Sequence, residues 1–149
     1  MLKRKLSLEI RLWESRDTEG ALVLLKEFHK ESLDKYGFFC NDVIALKVLH
    51  TFEGVSLVMY MGDELVGVLA GKFSVYPGND ERLYQEVLWF VKKEHRKHSS
   101  KMIDALEYQC RDWGIGKVVM SYFGHINLDR YYKQRGYEFL EAHYIKSLN

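Results

Sequence analysis

Apolar and polar residues first alternate along this chain and then recur at helical spacing. In residues 6–13 every second residue is leucine or isoleucine, which predicts a half-buried strand. Apolar residues then keep helical spacing over about 17–35, which predicts a first helix with Gly37 as its stop. A second helix is expected between a cap at Asn41 or Asp42 and a stop at Gly54. The N-terminal part therefore predicts a strand followed by two helices.

The next part of the chain is typical of antiparallel strands. Residues 55–61 and 65–76 are rich in apolar and β-favouring types, and residues 62–63 between them are Gly-Asp. A Gly-Asp pair between two such runs predicts a tight hairpin. Gly67 and Gly71 lie within the second strand, where a glycine indicates a bend or a close approach of another backbone.

The stretch around which the rest is arranged contains a strand, a basic segment and a helix. Residues 83–91 end in five consecutive apolar residues, which predicts a strand that is buried on both faces. KKEHRKHSSK follows at 92–101, with five Lys or Arg against one Glu. Ser99 or Ser100 is expected to cap an amphipathic helix that Gly114 ends. A basic segment that leads into a helix N-terminus predicts an anion site, because free amides and the helix dipole point there.

The remaining elements complete a mixed sheet within one domain, residues 1–149. A strand over 117–122 should pair in parallel with the strand over 83–91, since a helix lies between them. Residues 128–134 predict a short helix, and 137–148 predict a last extended strand. A free edge on that strand would allow a homodimer. The fold class expected is α/β (α+β), with helices on the faces of the sheet.

Composition narrows the classes of function. Apolar residues make up 47% and aromatic residues 14% of the chain, which argues against disorder. The net charge of +1 gives no general attraction to nucleic acid or membrane. No segment has the pattern of a signal peptide or the length of a membrane span. Cys110 falls on the apolar face of the helix after the basic segment and is expected to be a small buried hydrophobic residue. Cys40 and Cys110 form no disulfide framework, so a cytoplasmic location is expected. The six histidines have no metal-binding spacing, so no metal is expected.

Two motifs and the order of elements resemble the GNAT superfamily of acetyl-CoA-dependent N-acetyltransferases. VKKEHRKHSSKMIDAL at 91–106 is similar to the cofactor signature Q/R-x-x-G-x-G/A, with Ser99 and Lys101 at the glycine positions. RYYKQRGY at 130–137 is similar to the L-Y-x-x-x-G-F segment, with Tyr132 at the tyrosine. The resemblance covers essentially the whole chain. It implies a GNAT-like mixed, mostly antiparallel sheet with splayed parallel strands and about four helices.

The resemblance also implies acetyl-CoA as co-substrate and assigns its contacts. Amides at the start of the helix would hold the pyrophosphate, and amides at the end of the preceding strand would polarise the thioester carbonyl. The cofactor-binding residues implied are Phe90, Val91, Arg96, Lys97, His98, Ser99, Ser100, Lys101 and Asn127.

Two residues are catalytic candidates. The resemblance makes Tyr132 the general acid that protonates the leaving thiolate, although an aromatic residue at helical spacing is also typical of a core. Glu86 is a charged residue in an apolar strand and is the candidate general base. A solvent-facing Glu86, and deprotonation of the amine through water alone, are the alternatives.

The function expected from these features is acetyl transfer to a primary amine of a small molecule or a protein, by direct attack of the amine. The alternative is a non-catalytic GNAT-fold module that binds CoA or another protein, which the missing motif glycines favour. A nucleic-acid-binding module has little support, because aromatic residues do not interleave with the basic ones.

Overall fold

Residues 6–148 are described by the computed structural model, and they form a five-stranded sheet in the order β1-β2-β3-β4-β5. The strands are β1 Leu8–Leu12, β2 Leu57–Met61, β3 Glu64–Val75, β4 Arg82–Val91 and β5 Val118–Val119. The α-helices are α1 Thr18–Phe28, α2 Asp42–His50, α3 Ser99–Asp112 and α4 Asp129–Gln134. Shorter helical segments are Ser15–Asp17, His29–Leu33, Asp34–Tyr36 and Lys93–His98.

The pairing of the strands confirms the predicted mixed sheet. β1, β2, β3 and β4 pair antiparallel with their neighbours, and β4 pairs in parallel with β5. The β2–β3 hairpin is confirmed, since Met61 pairs with Glu64 and leaves a two-residue loop. Gly62 in that loop has a φ of 60°, a left-handed conformation that glycine adopts without steric cost.

The two N-terminal helices form close to where the sequence predicts them. The first is shorter as an α-helix than expected, because a π-helical turn at His29–Leu33 and a 3-10 turn at Asp34–Tyr36 replace its last part. Gly37 follows with a φ of 78°, as a helix stop requires. Asn41 caps α2, since its side-chain oxygen accepts the N–H of Ile44 at 3.1 Å.

The core lies in two layers, one on each face of the sheet. Successive residues of a strand point to opposite faces, so Val68 packs in the layer under α1 and α2 whereas Leu69 packs in the layer under α3. Trp13, Leu24, Phe28, Leu49 and Phe90 are among the members of the first layer, and Met59, Tyr84, Met102, Leu106 and Cys110 of the second. The prediction that Cys110 is a buried apolar residue is confirmed.

The last predicted strand is wrong for the single chain. Residues 138–148 form no strand in the structure, and every one of them is exposed. The pattern of the segment suits a strand, but a strand needs a partner edge, and no edge within residues 6–148 pairs with it.

None of the helices within residues 6–148 combines the length and the hydrophobicity needed to cross a membrane.

Candidate active site

β4 and β5 pair over two residues only and then separate. The paired positions are Tyr84 with Val118 and Gln85 with Val119. The predicted strand over 117–122 is therefore much shorter than expected, because the residues after Val119 diverge from β4. The separation leaves an opening between the two parallel strands, and the candidate residues lie around it.

A bulge in β4 accounts for the separation. Ala70 of β3 pairs with Leu88 and Gly71 pairs with Glu86, so Val87 has no partner on β3. An extra residue bends a strand and increases its local twist. Val87 is 49% exposed, so the prediction that this strand is buried on both faces is wrong at the bulge.

Gly71 allows the close approach at this bulge. A Cβ atom at this position would lie 2.4 Å from the backbone oxygen of Gln85 and 2.4 Å from the ring of Tyr84. Only a residue without a side chain fits such a contact. The close backbone approach predicted for the glycines of β3 is confirmed at Gly71.

The backbone amides of β4 beyond the bulge alternate in direction. The N–H of Lys92 donates to the carbonyl of Val66 at 2.8 Å, so it points towards β3. In an antiparallel pair every second residue points outward, so the N–H groups of Trp89 and Val91 face the opening, whereas that of Phe90 faces β3. Of the two predicted amide donors, Val91 thus faces the opening and Phe90 does not. Trp89 was missed by the sequence analysis.

Glu86 is buried at the edge of the opening and links β4 to the segment that follows β5. Its side chain accepts a hydrogen bond from the hydroxyl of Ser121 at 2.8 Å, and the residue is 9% exposed. The alternative in which Glu86 points to solvent is therefore wrong. Burial disfavours the charged carboxylate and raises the pKa of Glu86 to about 7, although the hydrogen bonds from Ser121 oppose the rise. A carboxyl with such a pKa exchanges its proton at neutral pH.

Tyr132 lies on α4 and reaches the same residue, Ser121, in the segment that follows β5. Its hydroxyl donates to the backbone carbonyl of Ser121 at 2.8 Å. Burial, together with the negative charge of Glu86, raises the pKa of Tyr132 above its usual range. The phenol thus keeps its proton at neutral pH, as a proton donor must. Ser121 joins both candidates, through its hydroxyl to Glu86 and through its carbonyl to Tyr132.

Ser121 was missed because no sequence pattern marks it. A polar residue near the end of a short apolar strand is the only signal that could have indicated it. Its importance depends on which residues face it across the opening, and that is decided by the bulge in β4.

Aromatic side chains form a wall around Tyr132. Its ring centroid lies 6.5 Å from that of Trp89, 6.3 Å from Tyr122 and 5.6 Å from Tyr137. Within the described residues, the buried indole N–H of Trp89 has no acceptor. The wall lowers the exposure of the Tyr132 hydroxyl and leaves one unused hydrogen-bond donor beside it.

Tyr131 differs from Tyr132 in its contacts. Its hydroxyl lies 2.8 Å from the hydroxyl of Ser100 on the first turn of α3. Its ring packs 6.4 Å from that of Trp89. Tyr131 thus ties α4 to the start of α3, whereas Tyr132 contacts the segment that follows β5.

The basic segment before α3 is helical, and some of its backbone groups are hydrogen-bonded to one another. Lys93–His98 is a 3-10 helix rather than an open turn, and the amide of Ser99 donates to the carbonyl of Arg96. The prediction that Ser99 or Ser100 caps α3 is wrong, since the 3-10 helix runs directly into α3 and puts His98 at the cap position.

Arg96 makes contacts inside the protein. Its Nε donates to the carbonyl of Val91 at 2.9 Å, its guanidinium pairs with Glu31, and it lies 5.6 Å from the ring centroid of Phe90. These contacts hold the end of β4 against the segment after α1. Arg96 is therefore placed to shape the end of the strand, and its charge is already balanced by Glu31.

Arg96 is itself exposed, and two further exposed positive charges of this region are lysines. Lys97 and Lys101 are both exposed beside the first turn of α3. Burial, and then the charges of Lys101 and Lys97, lower the pKa of His98. Only the part of this shift that comes from the two lysine charges reflects a positive local potential, which favours an anion.

Asn127 lies at the start of α4. Its side-chain oxygen accepts the N–H of Asp129 at 3.0 Å, so it holds the local turn that begins the helix. The structure does not bring Asn127 together with Glu86 and Tyr132. His125 in the same loop lies 3.1 Å from the hydroxyl of Tyr36, which joins this loop to the segment before α2.

Comparison with known proteins identifies the architecture. No protein-family model and no curated protein matches the chain. Solved structures do match. A ribosomal-protein-alanine N-acetyltransferase from Brucella melitensis biovar Abortus 2308 is 20% identical with a TM-score of 0.74, and the match covers 95% of this chain and 99% of that one. The chain has the GNAT fold.

Two further GNAT structures were solved with ligands. A predicted acetyltransferase from Clostridium acetobutylicum, with acetyl-CoA, is 14% identical with a TM-score of 0.73, covering 95% of this chain and 97% of that one. An aminoglycoside N-acetyltransferase in complex with CoA is 13% identical with a TM-score of 0.71, covering 99% and 98%. The GNAT fold confirms the expected sheet. At such low sequence identities a shared fold does not establish a shared reaction, so an argument about the reaction must rest on the residues of the site.

Proposed function

We propose that this protein is an N-acetyltransferase that transfers the acetyl group of acetyl-CoA to a primary amine. The observation that carries the proposal is the opening between β4 and β5, at which Glu86, Ser121 and Tyr132 form one hydrogen-bonded unit. The unit combines a carboxyl that titrates near neutral pH with a phenol that stays protonated. A base and an acid in one site are what acyl transfer to an amine requires.

The residues around the opening fit acetyl-CoA. The amides of Trp89 and Val91 would polarise the carbonyl of the thioester. The amines of Lys97 and Lys101 suit the phosphates, with the first turn of α3 adding the positive end of its dipole. Lys97, His98, Ser99, Ser100 and Lys101 therefore remain the proposed phosphate site, whereas Arg96 would support the end of β4. Two of the similar GNAT structures hold acetyl-CoA or CoA, which supports the same co-substrate here.

The reaction proposed is a direct attack of the amine on the acetyl carbonyl. Acetyl-CoA supplies an activated acetyl group as a thioester. Glu86, in its ionised form, would accept a proton from the amine, directly or through water. The bond between carbon and sulfur then breaks, and Tyr132 would donate its proton to the leaving sulfur. A proton from solvent restores the phenol and Glu86 releases its proton to solvent, so the products are an amide and free CoA.

A primary amine is the proposed acceptor, on a small molecule or on a protein. The similar structures include enzymes named for ribosomal-protein alanine and for aminoglycosides, both of them N-acetyltransferases. We further propose that the protein is a homodimer in the cytoplasm.

Calorimetry with acetyl-CoA and CoA tests the binding part of the proposal. We expect binding that weakens as salt is raised, since charged contacts to phosphate are screened. Lys101→Ala should weaken binding up to about tenfold, because it removes one charged contact. Lys47→Ala removes an exposed lysine of α2 and is the charge-matched control, which should bind as the unmodified chain does.

A second pair of variants tests the phosphate position itself. Ser99→Asp puts a negative charge at the start of α3 and should abolish measurable binding, whereas Ser99→Ala keeps the amide and should bind within about threefold of the unmodified chain. If both variants bind the cofactor equally well, the first turn of α3 is not part of the cofactor site.

Turnover separates the enzyme from a non-catalytic module. Release of the CoA thiol is measured with an aminoglycoside, with a peptide that begins with alanine, and with no acceptor. Turnover with an amine that Glu86→Gln and Tyr132→Phe each lower by about a hundredfold supports the proposal. Tight CoA binding without turnover on any amine of such a panel would instead support the non-catalytic module.

A further inference from the structure

A buried serine lies behind the bulge of β4, on the far side of β3. The backbone pairing of β2 with β3 ends at Leu57 with Leu69. Two residues further along β3, the N–H of Gly71 donates to the side-chain oxygen of Ser56 at 3.1 Å. Ser56 is fully buried. Its hydroxyl therefore takes the place that a backbone carbonyl would have if the pairing continued.

Tyr84 of β4 completes the arrangement. Its hydroxyl donates to the backbone carbonyl of Val55 at 2.8 Å and lies 3.5 Å from the hydroxyl of Ser56. Its ring fills the space that a side chain at position 71 would need, since a Cβ there would lie 2.4 Å from the ring. Ser56, Gly71 and Tyr84 thus form a buried clasp that joins the start of β2 to β3 and β4.

The clasp lies where the opening begins. Gly71 pairs with Glu86 directly before the bulge, and Tyr84 precedes Glu86 by two residues on β4. Tyr84 also pairs with Val118 of β5, and the two strands separate after the next pair. Tyr84 therefore contacts β3 at the bulge and β5 at the separation. These two points together determine where Glu86 lies relative to Ser121.

The surroundings of Tyr84 hold its ring and its proton in place. The ring is fully buried, and its centroid lies 6.0 Å from that of Phe73 and 6.3 Å from that of Trp113. Burial raises the pKa of Tyr84 above its usual range. The hydroxyl therefore remains a hydrogen-bond donor over the whole pH range in which Glu86 titrates.

Each half of the clasp satisfies one backbone group. Without the Ser56 hydroxyl the N–H of Gly71 loses its acceptor, and without the Tyr84 hydroxyl the carbonyl of Val55 loses a donor. A buried backbone group without a partner is costly, so the strand is expected to shift until water reaches it. Because Gly71 pairs with Glu86, such a shift would move the carboxyl and admit water to it.

We infer that Ser56 and Tyr84 are positioning residues, which act through the bulge to hold the carboxyl of Glu86 buried against Ser121. The role deepens the proposed reaction and rests on it only for the use of Glu86 as a base. The position of Glu86 itself can be measured without any turnover.

The test measures the pKa of Glu86 from the pH dependence of urea unfolding. Each chain is compared with the same chain carrying Glu86→Gln, so that the titration of this one carboxyl is isolated. The charge of Glu86 also acts on the hydroxyls of Tyr84 and Tyr132, both of which stay protonated near pH 7. In the unmodified chain the pKa of Glu86 should be about 7. Tyr84→Phe and Ser56→Ala should each lower it by about one unit, towards 4.5, because water reaches the carboxyl.

Two matched variants remove buried hydroxyls far from the clasp. Tyr60→Phe removes a tyrosine hydroxyl of β2 that donates to Asp17 at 2.6 Å. Thr18→Ala removes a hydroxyl of α1 that donates to Glu53 at 2.8 Å. Both should lower the free energy of unfolding and leave the pKa of Glu86 near 7.

Activity gives a second measurement. The clasp variants should lower kcat roughly tenfold at an unchanged KM for acetyl-CoA, because a base that is held less firmly acts only in the reaction step. The acidic limb of the rate profile should move to lower pH by the same amount as the pKa of Glu86.

A pKa of Glu86 that stays near 7 in Tyr84→Phe and in Ser56→Ala overturns the inference. An equal shift in Tyr60→Phe and Thr18→Ala overturns it too, since a general loss of stability would then explain the change. If one clasp variant does not fold, the other decides. A shifted pKa in a chain without turnover supports the positioning role and counts against the proposed function alone, so the two failures are distinguishable.

Discussion

Replacing Glu86 by glutamine should change the pH dependence of stability in a calculable way. The pKa of Glu86 rises from its ordinary 4.5 to about 7 because the carboxyl is buried. The folded state therefore holds its proton more tightly than the unfolded state does, and the free energy of unfolding falls as pH rises from about 4.5 to about 7. The rise in pKa corresponds to about 3 kcal/mol in the free energy of unfolding, and the whole of this stability is lost once the pH is above about 7.

Glu86→Gln removes this titration and keeps the size of the side chain. Near pH 4.5 the Glu86 carboxyl of the unmodified chain is protonated and uncharged in the folded state. The charge of residue 86 should therefore contribute little to any difference in the free energy of unfolding between the two proteins. Near pH 8.5 the variant should have gained about 3 kcal/mol relative to the unmodified chain. Urea unfolding at a series of pH values measures the difference.

The matched control is Glu94→Gln, which removes an exposed carboxylate of the 3-10 helix. It gives the baseline for the loss of one negative charge at the surface. The free energy of unfolding of Glu86→Gln, relative to the unmodified chain, is compared with that of Glu94→Gln across the pH series. If it depends on pH no more than that of Glu94→Gln does, burial does not raise the pKa of Glu86, and the argument for a base at this position fails. Activity should move the opposite way, with turnover rising as Glu86 ionises near pH 7 and falling about a hundredfold in the variant.

Two further predictions follow from the geometry of the site. Tyr132→Phe should lower kcat about a hundredfold with little change in KM, because it removes the proton donor. Tyr131→Phe loses only the hydroxyl contact with Ser100 and should keep the kcat of the unmodified chain. Steady-state assays of thiol release measure both variants, and equal losses of kcat would contradict the assignment of Tyr132 as the acid. Gly71→Ala should destabilise the fold by about 1–3 kcal/mol, since its Cβ would meet the backbone of β4 at 2.4 Å. Gly116→Ala is the control, because its nearest contact is 3.8 Å away and its unfolding should barely change.

The order of elements could be predicted from the sequence for a simple physical reason. Local patterns carry the information for a hairpin, a helix stop or a buried helix face, so the Gly-Asp loop at 62–63, the stop at Gly37 and the buried position of Cys110 were all correct. The parallel pairing of β4 with β5 also followed, because a helix between two strands leaves few alternatives.

The catalytic candidates illustrate the limit of such reasoning. Residue type and motif singled out Glu86 and Tyr132, but neither the pKa of Glu86 near neutrality nor the bond of Tyr132 to Ser121 can be read from local pattern. Both depend on contacts between segments 35 and 11 residues apart. The basic segment was recognised by its charge, yet its 3-10 conformation and the pairing of Arg96 with Glu31 depend on packing against the segment after α1.

By itself the sequence determined the order of the first five strands, the helices and the candidate chemistry, because periodicity and turn residues act over a few positions. Tertiary structure alone decided that Val87 is the bulge, that β5 ends at Val119, and that Ser121 joins the base to the acid. It also decided that residues 138–148 pair with no strand of the described part of the chain. A strand pattern shows which side chains a segment can bury, whereas the rest of the fold determines whether a partner edge is there to bury them.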